Sequence, residues 1–131
     1  AEATALGTAF RDAYLAAWRP SAGSAFDALG RAPVALAVAV GVAAREHALA
    51  LRATLDAFAA AQLSNQISAA IRLGVVGQIA GQRISAALLE PAAEACALAE
   101  TAGEDDLGGA SWGADLASML HEEQQPRLFR S

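Results

Sequence analysis

Leu63–Ile84, LSNQISAAIRLGVVGQIAGQRI, is the stretch whose reading decides the fold. It reads as the end of one long helix, a glycine-punctuated turn and the start of another. Leu63, Ile67 and Ile71 recur every fourth residue as an apolar stripe. Asn65, Ser68 and Arg72 recur at i, i+3 and i+7 as a polar stripe beside it. Gly74 stands where the helix must stop, because glycine takes a left-handed conformation without a Cβ clash. Beyond the turn, Gln78 and Gln82 lie one helical turn apart, with Arg83 alongside. Gly77 and Gly81 share the same spacing, which lets a neighbouring helix approach closely. A polar set of this kind suits recognition or a buried hydrogen-bond network. It does not suit an active site.

The segments on either side are helical too. Leu6, Phe10, Tyr14 and Trp18 repeat every fourth residue and predict an amphipathic helix that ends before Pro20. Ser21–Arg31 reads as a loop with a short helical turn at Ala25–Leu29. Val34–Val42 alternates as a strand would, but it is alanine-rich and follows Pro33. Proline at a helix start, and the lack of strand signals elsewhere, favour a buried helix opening at Pro33. After a break at Arg45–His47, a third helix is expected to reach Leu73, with Leu51, Leu55, Phe58 and Leu63 inward. Arg52 and Asp56 form an i,i+4 pair on it. A fourth helix runs from about Val76 to Glu100, kinked or split by Pro91. Thr101–Gly109 is an acidic loop, Asp115–Glu123 a last helix, and Gln124–Ser131 a tail. The expectation is an all-α fold: a compact bundle of about five to six helices around a central helical hairpin, with a C-terminal docking tail. Residues 1–131 are expected to form a single domain.

Composition narrows the function. Apolar residues make up 55%, mostly alanine and leucine, which are strong helix formers and numerous enough for a core. The net charge is −5, and all nine basic residues are arginine, which argues against a nucleic-acid surface. The longest uncharged apolar run, Ala32 to Ala44, is too short to span a bilayer. The chain opens on AEATALG, with no signal-peptide pattern and already within helical periodicity, as expected for part of a longer protein. A single cysteine, Cys96, allows no internal disulfide and reads as a small core residue. His47 reads as a surface or helix-start residue. With His121 these ligand types are scattered, and no metal site is expected. No catalytic residues are expected either. A GxSxG elbow is missing, and Glu104, Asp105 and Asp106 form a solvated turn. The glycines at 74, 77 and 81 lack the lysine and strand of a phosphate loop. Trp112 is either a core plug or an interface anchor.

The tail is unlike an ordinary terminus, which is hydrophilic and frays. Arg127, Leu128, Phe129 and Arg130 place two large apolar side chains between two guanidinium groups. Burying each apolar group is worth about 2–3 kcal/mol, so the tail has something to dock against. Its arginines and aromatic ring are residue types enriched at binding hot spots. A partner protein and the chain's own helices serve equally well as that surface.

Two blocks carry a family resemblance. SAAIRLGVVGQIAGQR (Ser68–Arg83) and DLASMLHEEQQPRLFRS (Asp115–Ser131) resemble the urease accessory protein UreF, whose matching stretches read like SAAVRLGPLGQTDGQR and DIASMRHETQYSRLFRS. Pro33-Val34-Ala35 is similar to that family's PVAFG helix start. The likeness runs from about Pro33 to the end and is weakest in the acidic loop. The family's glycine-rich FxxSxGLE region has no counterpart here. Leu120 stands where the family often has arginine, and Gln125-Pro126 replaces a Tyr-Ser pair.

The resemblance implies an all-helical, non-catalytic, cytoplasmic protein that forms homodimers. It implies bridging between UreD (UreH in some organisms) and the GTPase UreG during nickel insertion into apo-urease, with no resident cofactor and no nucleic acid or membrane as partner. Carried onto this chain, the partner-binding tail comprises His121, Glu122, Gln124, Arg127, Leu128, Phe129, Arg130 and Ser131. The hairpin network comprises Asn65, Ser68, Arg72, Gln78, Gln82 and Arg83, with Arg72, Gln78 and Gln82 expected to order the hairpin internally. The alternatives are a chaperone holding nickel through His47, Cys96 or His121, and a helical interaction module unrelated to urease.

Overall fold

The computed structural model describes residues 2–18, 23–109 and 111–121. Among these there are seven α-helices and no strand, so the fold is all-α. The helices are α1 (Glu2–Trp18), α2 (Ala25–Leu29), α3 (Leu36–Glu46), α4 (Leu51–Arg72), α5 (Gln78–Ala87), α6 (Leu89–Thr101) and α7 (Trp112–His121). The chain divides into two units, Ala1–Thr101 and Ala102–Ser131. In the second, the acidic loop forms a short 3-10 turn at Glu104–Asp106, where the Asp106 carboxylate accepts from the Gly103 N–H at 2.9 Å. The final helix opens at Trp112, three residues ahead of the expected Asp115.

In the first unit α1 lies on α3, α2 packs beneath them, and α4 joins α3 to α5 and α6. The face that α1 buries coincides only in part with the Leu6–Phe10–Tyr14–Trp18 stripe: Tyr14 is in the core and Phe10 packs against it. Leu6 and Trp18 are 52% and 63% exposed, and the buried residues are Gly7, Arg11 and Tyr14, at i, i+4 and i+7. Two contacts turn the helix this way. A Cβ built on Gly7 would lie 2.5 Å from the backbone of Ala35 and Leu36, so only glycine permits the approach. Arg11 donates to the carbonyls of Gly30 at 3.2 Å and Ala32 at 2.8 Å. Its charge is thereby satisfied against backbone oxygens although the side chain is buried.

The same bonds correct the start of α3. Pro33, Val34 and Ala35 precede the helix, which begins at Leu36. Arg11 holds the carbonyls just upstream, and buried Val34 donates its N–H to Thr8 Oγ1 at 3.5 Å. Around this crossing Tyr14, Phe26, Val34, Ala39 and Ala43 form the core. The Tyr14 ring lies 5.1 Å from Phe26 and 5.6 Å from Trp18, centroid to centroid. Burying Phe26 fully is worth about 2–3 kcal/mol. The short α2 is held by a carboxylate from the far end of α3: Glu46 Oε1 accepts from Ser24 Oγ and from the Ala25 N–H at 2.6 Å.

The other helices bury little. α4 has no buried residue; Leu51 is exposed, and Leu55, Phe58 and Leu63 are only half-buried. α5 buries Gly81 and α6 buries Cys96. The expected break at Pro91 falls slightly earlier, at Leu88, so that the proline occupies the first turn of α6. There its missing N–H costs no helical bond. No helix among the described residues is long and apolar enough to cross a membrane.

Candidate interaction surfaces

The hairpin that organises the sequence becomes the turn between α4 and α5. Gly74 has φ +71°, its N–H reaches Ile71 O at 3.0 Å, and the Val75 N–H reaches Ala70 O at 2.9 Å. Those two bonds are the Schellman pattern, which closes a helix and reverses the chain. α5 then returns against α4 at Gly81, where a Cβ would stand 2.8 Å from Ile71 Cδ1 and 3.2 Å from Ile67 Cγ2. The close approach belongs to Gly81 alone of the expected pair. Gly77 is the N-cap of α5 and faces open space.

Beside this contact lies a polar cleft of about 320 Å³. Ser64, Ser68 and Arg72 line one wall from α4; Gln78, Gln82 and Ser85 line the other from α5. Ile67 and Ile71 complete the lining. Four of the six hairpin residues read from the sequence, Ser68, Arg72, Gln78 and Gln82, meet here. Asn65 and Arg83 lie outside the cleft lining. All six are exposed.

A second, apolar groove of about 820 Å³ opens between α1, α3 and α4. Phe10, Tyr14 and Trp18 form one side, Leu49 and Phe58 another, and His47 closes the end. Three residues of the α1 stripe therefore line a groove, Tyr14 with its ring also in the core. His47 is exposed at the end of α3, not at a helix start, and shares a 3.1 Å hydrogen bond between Nε2 and Tyr14 Oη. The residue after it, Ala48, takes φ +52° and repeats the Schellman pattern through Ala48 N–H to Arg45 O and Leu49 N–H to Ala44 O. It lies directly after the break expected at Arg45–His47, although no glycine marks the left-handed residue.

Cys96 is buried where α6 meets α4, as expected of a small core residue. Burial pushes its thiol pKa up, and its hydrogen bond to Asp56 adds to the shift. Arg52 sits alongside, pairing with Asp56 at 3.0 Å and donating to Ala93 O at 3.2 Å. A neutral thiol is a poor nucleophile and a poor metal ligand. Among the described residues, no three His, Cys, Asp or Glu side chains gather as ligands would. His121 ends α7, and Glu122, Gln124, Arg127, Leu128, Phe129, Arg130 and Ser131 lie outside the described residues. Arg11, Glu46 and Gly7 carried no signal in the local pattern, because each acts on backbone at least nineteen positions away.

Comparison with known proteins places these surfaces in a family. The UreF family model matches residues 1–89. A urease accessory protein UreF of Bradyrhizobium diazoefficiens is 46% identical over 130 residues, covering 99% of this chain and 54% of that protein. One from Methylobacterium sp. (strain 4-46) is 45% identical, covering 99% and 52%. One from Rhodopseudomonas palustris (strain BisB5) is 50% identical, covering 99% and 54%. The similarity thus begins at the first helix and not, as the two sequence blocks suggested, near Pro33. The chain spans about half the length of the curated relatives it matches. No solved structure matches it.

Proposed function

We propose, since this chain belongs to the UreF family, that it works as a non-catalytic accessory protein in urease maturation, bridging UreD/UreH and the GTPase UreG while nickel is inserted into apo-urease. Nickel is then cargo of the assembled complex and not a resident cofactor of this chain. The protein acts in the cytoplasm, as a homodimer. The observation that carries this reading is the extent of the match: relatives named urease accessory protein UreF align over 99% of the chain at 45–50% identity.

In this reading the tail is the anchor for UreD. Leu128 and Phe129 enter an apolar groove of the partner, while Arg127 and Arg130 pair with its carboxylates or carbonyls. His121, Glu122, Gln124 and Ser131 complete that surface. Co-purification with UreD, with and without Arg127–Ser131, is the test. The intact chain is expected to retain UreD and the shortened one to lose it. Equal retention by both would remove the tail from the interface.

A further inference from the structure

Three large apolar side chains stand in water around the turn that joins α4 to α5. Leu73, the C-cap of α4, is 48% exposed, and Val75 and Ile79 are each 72% exposed. The turn itself does not account for them. A Schellman turn usually lays its closing apolar residue on a side chain of the last helical turn. Here the closing residue is Val75 and the carbonyl it bonds belongs to Ala70, whose methyl group covers little of it. Ile79 is set outward by Gly81. That glycine meets Ile67 and Ile71 of α4, and residues two positions to either side of it fall on the opposite face of α5. Those residues are Ile79 and Arg83, one helical turn apart.

The charge around this knuckle has one sign. Between Asp56 and Glu90 there is no acidic residue, in a protein of net charge −5. The Arg83 guanidinium is exposed and has no hydrogen bond or ion pair among the described residues. An apolar centre with an arginine at its border is the make-up of a protein-binding patch. An anionic membrane or a nucleic acid takes several basic side chains together, which this stretch does not offer. We propose that the knuckle of Leu73, Val75 and Ile79 docks on the apolar face of a partner helix flanked by carboxylates, one of which pairs with Arg83. The apolar contact supplies the affinity, and the acid-free surroundings select an acidic partner over a basic one. The surface belongs to the first unit, and its test does not depend on the role of the tail.

The experiment is fluorescence anisotropy of the chain with a fluorescein-labelled helical peptide that carries leucines on one face and glutamates beside them. Its twin has lysines in place of the glutamates. The glutamate peptide binds and the lysine peptide does not. Val75→Ser and Ile79→Ser each weaken binding about tenfold, or about 1.4 kcal/mol, and Arg83→Gln weakens it less. Trp18→Ser and Leu49→Ser, at exposed apolar residues of the groove between α1, α3 and α4, leave it unchanged, and circular dichroism shows all five variants folded. Should Val75→Ser fail to fold, Val75→Thr takes its place with the same expectation. Equal weakening by Trp18→Ser or Leu49→Ser would seat the peptide in that groove and overturn the proposal. So would a sedimentation coefficient that falls in Ile79→Ser, which makes a second copy the occupant, or phosphatidylserine vesicles that bind the chain but not Ile79→Ser, which makes it a lipid surface. Absence of binding, or equal binding of both peptides, also overturns it.

Discussion

The α1–α3 region and the α4–α6 region are built from similar alanine- and leucine-rich helices but are held together differently. The first closes backbone against backbone at Gly7, carries the Arg11 bonds to Gly30 and Ala32, and buries Tyr14, Phe26, Val34 and Ala39. The second meets through the ends of flexible side chains at Gly81 and buries only Gly81 and Cys96. Helix content therefore says little about where stability resides. Both regions join segments far apart in sequence, Arg11 reaching Ala32 in the first and Arg52 reaching Ala93 in the second. What separates them is burial, which encloses aromatic and branched side chains in the first and little beyond Gly81 and Cys96 in the second.

The contrast is broken most directly at its two glycine crossings. Gly7→Ala sets a methyl group against the backbone of Ala35 and Leu36, which cannot move without displacing the start of α3. The expected loss is about 3 kcal/mol, read as a lowered urea midpoint. The two helix reversals sharpen it next. Ala48 holds a left-handed conformation that costs a non-glycine residue about 1–2 kcal/mol. Ala48→Gly is expected to raise stability by about 0.5–1 kcal/mol, part of the relief being offset by glycine's freedom in the unfolded chain. A midpoint that falls on this substitution would contradict the strain. The smallest effect belongs to Gly81→Ala. The methyl meets Ile71 Cδ1, which can rotate away, and alanine favours the helix. A net change under about 1 kcal/mol is expected by the same measurement. A loss matching that of Gly7→Ala would show the two crossings to be equally rigid.

The sequence made local features readable. Helical spacing located α1, α4 and the α5–α6 pair, Gly74 marked its turn, and Arg52 with Asp56 formed as the i,i+4 rule predicts. The buried face of α1 was readable only at Phe10 and Tyr14; Arg11 finds carbonyls far along the chain and Gly7 meets a helix start that no local window contains. The break at Arg45–His47 was legible, but not the left-handed residue that makes the reversal, because alanine gives no signal for one. At the candidate site, Ser68, Arg72, Gln78 and Gln82 were legible from spacing alone. Asn65 and Arg83 were grouped with them although neither keeps the four-residue step that repeats along a cleft wall. The tail residues after His121 lie outside the described residues, and their docking rests on residue type.

Trp18 has an optical consequence. It stands 63% exposed at the edge of the apolar groove, its ring 5.6 Å from Tyr14, and the chain's only other indole is Trp112, in the second unit. Replacing Trp112 by phenylalanine therefore leaves one indole, seated at the groove and excitable apart from Tyr14 at 295 nm or longer wavelength. Anything apolar that settles there displaces water from the indole and shifts its emission toward the blue, so the protein carries its own reporter for occupancy of that face.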